Sequence, residues 1–216
     1  MQRTIPQILK KAFYIANTGR KGTVLIDVPI DVQNAPVRKF KYPDSVSMRT
    51  YKPTVKGHIV QIKKGNCRAG KGKASGHLRR RRRAAWRCAE AFTGIFPPSQ
   101  NSGCNNYDGH RRDADRRPVD FGMVGNNGAP CANRAMNEAD MIIMVGARVA
   151  DRAVNQPEII TKNKVLVHMD VDPAEIEKTQ ARTIPLVGDA KHIFSDMLEQ
   201  ELGGDYSEWV VCLQEY

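Results

Sequence analysis

From residue 120 onward the chain alternates short apolar runs with helix-forming segments, and this alternation constrains its fold more than any other feature. Residues 141–145, MIIMV, are closed by Gly146; residues 165–171, VLVHMDV, form a second run; residues 184–187, IPLV, form a third that ends at Gly188. Runs this short and this continuously apolar suit strands covered on both faces. Helix signals stand between and after them. Pro130 fits the first turn of a helix reaching to about Ala139. Asp172, Pro173, Ala174 and Glu175 supply an N-cap, a first-turn proline and an acid three residues after the cap. Gly188 and Asp189 open a last helix that runs to about Leu202. Strands alternating with helices predict an α/β fold, a doubly wound parallel sheet.

The first 64 residues carry a similar grammar more sparsely. Ile5, Ile8, Leu9, Ala12, Phe13 and Ala16 recur at helical spacing over 4–18, with Gly19 in the C-cap position. Residues 23–28, TVLIDV, between Gly22 and Pro29, predict a strand buried on both faces. A polar stretch with Pro36, Pro43 and Pro53 reads as a linker, placed at 37–53. Residues 54–64 predict a new helix with Val55, Ile59 and Ile62 on one face. The organisation expected is therefore a domain tail at 1–36, the linker, a nucleotide-binding type of domain at 54–202, and the start of a further linker at 203–216.

Charge is distributed unevenly. The chain has 34 Lys+Arg against 23 Asp+Glu and a net charge of +11. Residues 66–119 hold thirteen of those bases, including Arg79 to Arg83, and four of the acids, so nine of the eleven units lie there. The remainder is close to neutral. Three of five cysteines (Cys67, Cys88, Cys104) fall in the same segment without CxxC spacing, which predicts no metal site. The longest apolar stretch is far short of the ~20 residues that span a bilayer, and the N-terminus shows no apolar signal region. A cytoplasmic protein with no membrane partner is the expectation.

In a doubly wound sheet, ligands bind where the strands end, at glycine-rich turns and helix N-termini. Three turns qualify: Gly122, Gly125 and Gly128 before the Pro130 helix; Gly146, Ala147 and Arg148; and Gly188, Asp189 and Ala190. Together they suit a nucleotide-sized ligand whose diphosphate Arg148 and Arg152 could neutralise.

The stretches at 19–32, 121–152, 167–176 and 185–190 resemble the large subunit of acetolactate synthase, a thiamine-diphosphate enzyme. The resemblance implies a Rossmann-like central domain preceded by the last helix and strand of a pyrimidine-binding domain. It implies condensation of two pyruvates, or of pyruvate with 2-oxobutyrate, in branched-chain amino-acid biosynthesis. Thiamine diphosphate and magnesium would serve the parent enzyme, as would FAD in the central domain. Its partners would be a second copy of the chain, a small regulatory subunit and small 2-oxo acids. Carried over by position, the FAD contacts are Arg20, Gly122, Met123, Asn126, Asn127, Gly146, Ala147, Arg148, Arg152, Asp170, Val171, Gly188, Asp189 and Ala190. The family's usual Met-His is Asn126-Asn127 here, and its ARFDDR run is ARVADR at 147–152. The family's catalytic glutamate and its GDG magnesium motif have no counterpart; Gly203, Gly204 and Asp205 read as a turn. A fragment inactive alone is expected. The alternative within the same chemistry is a glyoxylate carboligase or oxalyl-CoA decarboxylase. The alternative from another class is a basic nucleic-acid binder acting through Arg79 to Arg83.

Residues 66–119 fit neither the resemblance nor the α/β pattern, and a shifted reading frame accounts for them. If each arginine is a CGN codon, a one-nucleotide shift turns every Arg-Arg junction into a glycine or alanine codon. Over 65–83 the shifted codons permit an amphipathic helix, a strand and a glycine turn; over 101–120 they permit sequence resembling the same family. A smaller slip of opposite sense is expected at 177–182. The segment 66–119 is accordingly expected to be disordered or misfolded, with arginines where a glycine turn belongs.

Overall fold

The structure, a computed structural model, describes residues 4–36, 40–69, 71, 75–79, 102–105, 120–147, 149, 162–178, 183–200 and 207–214; for 75–79, 102–105, 120 and 214 it describes the backbone alone. The chain divides into two compact units, Met1–Thr54 and Val55–Tyr216.

The first unit is built on helix α1 (Ile5–Asn17), which opens with a proline in its first turn. Its C-terminal end is tied down by Tyr51, whose hydroxyl donates to the Thr18 carbonyl oxygen at 3.0 Å and whose ring meets Tyr14 edge to face at 6.0 Å. A single helical turn follows at α2 (Ile30–Gln33). Residues 23–28 do not form the expected strand: they are irregular, and Leu25 is 94% exposed. The physical reason is the lack of a ladder partner. A strand exists by hydrogen bonding to a neighbour, and no other strand occurs among the described residues of this unit.

The second unit is the doubly wound sheet. Its strands are β1 (Ser75–Arg79), β2 (Ser102–Asn105), β3 (Asp120–Met123), β4 (Met141–Val145), β5 (Val165–Asp170) and β6 (Thr183–Val187). They lie in the order β3-β2-β1-β4-β5-β6, with every pairing parallel. The period of two along β4 sorts its side chains onto two cores. Met141, Ile143 and Val145 join Val167, Met169, Ile184 and Leu186 beneath α3 (Ile59–Ala69) and α5 (Ala190–Leu198). Ile142 and Met144 join Leu166 on the opposite face, beneath α4 (Pro130–Glu138) and α6 (Ser207–Gln214). Helices on both faces explain why β4 is apolar at every position. On β6 only Ile184 and Leu186 are buried, and it carries Pro185, which an edge strand tolerates.

Three expectations are corrected in detail. The helix expected at 54–64 starts at Ile59, because residues 55–58 are used as a loop: the Val55 carbonyl accepts the Asp189 N–H, and Gly57 fits against Ile193. Ile62 is buried there, while Val55 and Ile59 are exposed. Residues 207–214 form helix α6 and not linker, with Leu213 in the second core and Trp209 packed against it. Within 66–119, residues 66–69 complete α3, and 75–79 and 102–105 supply two strands of the sheet. Lys71 N–H donates to the Arg68 carbonyl at 3.1 Å, and the other residues of 66–119, Arg80 to Arg83 included, lie outside the described residues, as do residues 179–182 of the slip expected at 177–182.

Candidate functional site at the carboxyl edge of the sheet

Because all six strands are parallel, their carboxyl ends share one edge, and the helices that follow β3 and β6 begin there. The strand order reverses between β1 and β4, where Arg79 stands in register with Val145. In sheets of this class the reversal point is the general ligand position.

The turn after β3 is held from inside. Gly128 N–H donates to the Gly125 carbonyl at 2.8 Å, and Ala129 N–H donates to the Met123 carbonyl at 2.8 Å. Asn133, one turn into α4, grips Gly125 on both sides: its Oδ1 accepts the Gly125 N–H and its Nδ2 donates to the Gly125 carbonyl, each at 2.9 Å. A Cβ on Gly128 would lie 2.4 Å from the Met123 carbonyl oxygen and 2.7 Å from the Gly125 nitrogen, so only glycine fits this closure. Asn126 and Asn127 are exposed at the tip.

The turns after β4, β5 and β6 form a contiguous row. Gly146 N–H donates to the Met169 carbonyl at 2.7 Å, and Gly188 N–H donates to the Asp170 carbonyl at 3.0 Å, extending the ladder past the strand ends. Gly146 adopts a left-handed backbone with φ of 56°, and among the described residues no atom lies within 4 Å of where its Cβ would stand. The structure thus brings together Gly146, Ala147, Asp170, Val171, Gly188, Asp189 and Ala190. Gly122, Met123, Asn126 and Asn127 lie at the other end of the edge, three strand spacings or about 14 Å from β4. Arg148 and Arg152 lie outside the described residues. Arg20 belongs to the first unit.

Asp189 and Asp172 show what the carboxylates in this row do locally. The Asp189 side chain accepts the Lys191 N–H at 2.9 Å, capping α5, and Asp172 accepts the Ala174 N–H at 3.0 Å. Helix α4 has no side-chain cap at Ala129. Beneath the row sits His168, 2% exposed, whose Nε2 lies 3.0 Å from the Ala147 carbonyl oxygen and whose Nδ1 has no partner among the described residues. Burial pushes this imidazole below its ordinary value of 6.5, opposed by the bond to Ala147 and the charges of Asp170 and Glu175. Because a carbonyl can only accept, Nε2 carries a proton and donates it to Ala147. Asn133 and His168 are the two residues that sequence reasoning missed. The one available signal was a histidine in the middle of an otherwise apolar strand.

With no side chain at Gly146, main chain at this strand end is free to approach a flat or extended ligand closely. Among the described residues no group of His, Cys, Asp and Glu is arranged to hold a metal ion. No helix of the described residues is long and apolar enough to cross a membrane.

The fold is a parallel α/β sheet with helices on both faces, and known proteins resemble it. Residues 109–198 match the family described as thiamine pyrophosphate enzyme, central domain. The chain is 35% identical over 214 residues to the acetolactate synthase isozyme 3 large subunit of Escherichia coli, and 34% identical over 206 residues to the acetolactate synthase large subunit of Buchnera aphidicola. It is 34% identical over 196 residues to a probable acetolactate synthase large subunit of Methanocaldococcus jannaschii. Residues 109–198 are therefore similar to thiamine pyrophosphate enzyme central domains, and the chain is similar to acetolactate synthase large subunits. Each alignment covers 90% of this chain, which spans about a third of the length of the curated relatives it matches. The crystal structure of benzoylformate decarboxylase from Polynucleobacter necessarius shares the fold, with a TM-score of 0.72 at 15% identity over 95% of this chain and 38% of that one.

Proposed function

We propose that this chain supplies the dinucleotide-binding portion of a cytoplasmic acetolactate synthase large subunit. The parent enzyme condenses two pyruvates, or pyruvate and 2-oxobutyrate, and works as an oligomer with a smaller regulatory subunit. Thiamine diphosphate with magnesium supplies the electron sink for the carbon–carbon chemistry. This chain's own contribution is to bind and orient. Gly146 and Ala147 face the cofactor with backbone, Gly188 and Asp189 shape the adjoining turn, and the loop at Gly122 to Gly128 holds the far end. Arg148 and Arg152 are assigned to the diphosphate. The dinucleotide assigned to the edge is FAD. The observation that carries this reading is the left-handed Gly146 at the end of β4, the strand at which the sheet order reverses. Relatives at 34–35% identity favour acetolactate synthase over a glyoxylate carboligase or an oxalyl-CoA decarboxylase.

Flavin fluorescence quenching tests the reading directly. Added FAD is expected to be quenched with saturable stoichiometry, and Gly146→Val is expected to weaken binding at least tenfold. Unquenched flavin with the folded chain would overturn the assignment of FAD. Since no catalytic glutamate or GDG motif occurs in these residues, acetolactate formation from pyruvate is expected only alongside sequence that carries them.

A further inference from the structure

The buried imidazole of His168 is a strange occupant for the middle of a parallel sheet. Its strand neighbours are Met144 on β4 and Pro185 on β6, and Leu166, two residues earlier on β5, joins the core beneath α4 and α6. A leucine at this position would fill such a site without desolvating two ring nitrogens, which is costly unless a hydrogen bond is gained in return. One bond is gained, from Nε2 to the Ala147 carbonyl oxygen at 3.0 Å. That carbonyl belongs to the residue after Gly146, whose outward side is open and whose N–H is tied to Met169 of the same strand. The Gly146–Ala147 turn is thus fastened to β5 at two points, once by backbone and once by the imidazole.

We propose that His168 is a positioning residue for the dinucleotide edge: as the Nε2-protonated tautomer it holds the Ala147 carbonyl inward and keeps the β4 turn in its open shape. The inference rests on the proposed dinucleotide reading for its purpose, though not for its geometry. His168 reaches no cofactor itself, since both ring nitrogens are buried. Nδ1 has no partner among the described residues, and the carboxylates of Asp170 and Glu175 are the charged groups that act on the ring.

Three measurements test it. Nitrogen-15 imidazole spectra of the unaltered chain should show a bare Nδ1 and a protonated Nε2; the opposite tautomer would overturn the assignment. His168→Leu should raise amide hydrogen exchange at Gly146 and Ala147 at least tenfold relative to Leu166 and weaken FAD binding at least tenfold. His168→Gln, whose amide can donate to the same carbonyl, should recover both to within threefold. Unchanged exchange in the leucine variant, or a glutamine variant as impaired as leucine, would reduce His168 to a core residue. If the unaltered chain takes up no FAD, the dinucleotide reading fails, and tautomer and exchange still decide whether His168 holds the turn.

Discussion

At the residue scale, the site depends on a few backbone positions and on the two side chains that hold them. Gly128→Ala would drive a Cβ into the Met123 carbonyl and the Gly125 nitrogen, both backbone atoms that cannot swing aside. A loss of about 1–3 kcal/mol is expected, read as a lower midpoint in urea unfolding. The pH dependence of stability follows from His168. Its folded-state value lies below 6.5, so as pH falls through 6.5 the unfolded chain takes up a proton that the folded chain refuses. Stability is full above that range and declines on acidification, and His168→Gln should flatten the slope in unfolding titrations between pH 7 and 5. The glycine turns were legible in the sequence because their spacing is local. Asn133 and His168 were not, because their meaning lies in contacts with Gly125 and Ala147, eight and twenty-one residues away. The Asp189 carboxylate caps α5 through the Lys191 N–H.

At the scale of elements, helix ends give the most separable tests. Asp189→Ala removes the cap of α5 and is expected to cost about 1 kcal/mol, measured by thermal or urea unfolding. If the carboxylate served a cofactor alone, stability would not change. At the far end of α4, the Lys164 ammonium donates to the carbonyls of Met136 at 2.5 Å and Asn137 at 2.7 Å, where a cation also complements the helix dipole. Burial lowers its pKa from the ordinary value of 10.5. Losing these two hydrogen bonds, Lys164→Met should destabilise by roughly 1 kcal/mol. Elements with strong apolar periodicity, β4, β5 and α4, were legible to within a residue or two. The helix at 54–64 was displaced because Val55 and Gly57 are consumed in packing against α5, which no local pattern reveals. Residues 23–28 failed for a different reason: strand propensity requires a partner strand, and composition cannot supply one.

At the scale of the whole molecule, the sheet joins a well-specified half to a poorly specified one. β4 to β6 place apolar residues in both cores, while β1, central in the order, reads SGHLR. A central parallel strand is buried on both faces and favours β-branched residues; serine, glycine and histidine there are weak choices. Sequence similarity spans 90% of the chain, so it crosses the basic segment, and the family match itself begins inside that segment at residue 109. A frame shift predicts this combination: strands in their proper places in the order, built from the wrong residues. The same reading places Arg79 at the carboxyl end of β1, opposite Val145, where a dinucleotide-binding sheet normally turns on glycine. Two outcomes follow. In the gene, Arg79 to Arg83 should be CGN codons, and AGA or AGG codons would sink the idea. A variant translated in the shifted frame from 66 to 119, and in the present frame elsewhere, should unfold at higher temperature and with a steeper urea dependence. The steeper slope is the discriminating result, because it reports more surface buried by the native state and not merely a stronger contact. Amide exchange should locate the gain in β1 and β2, with β4 and β5 already slow in the unaltered chain. A restored chain with no gain in midpoint or slope would show that 66–119 is sequence proper to this protein, and its nine units of positive charge would then need a function of their own.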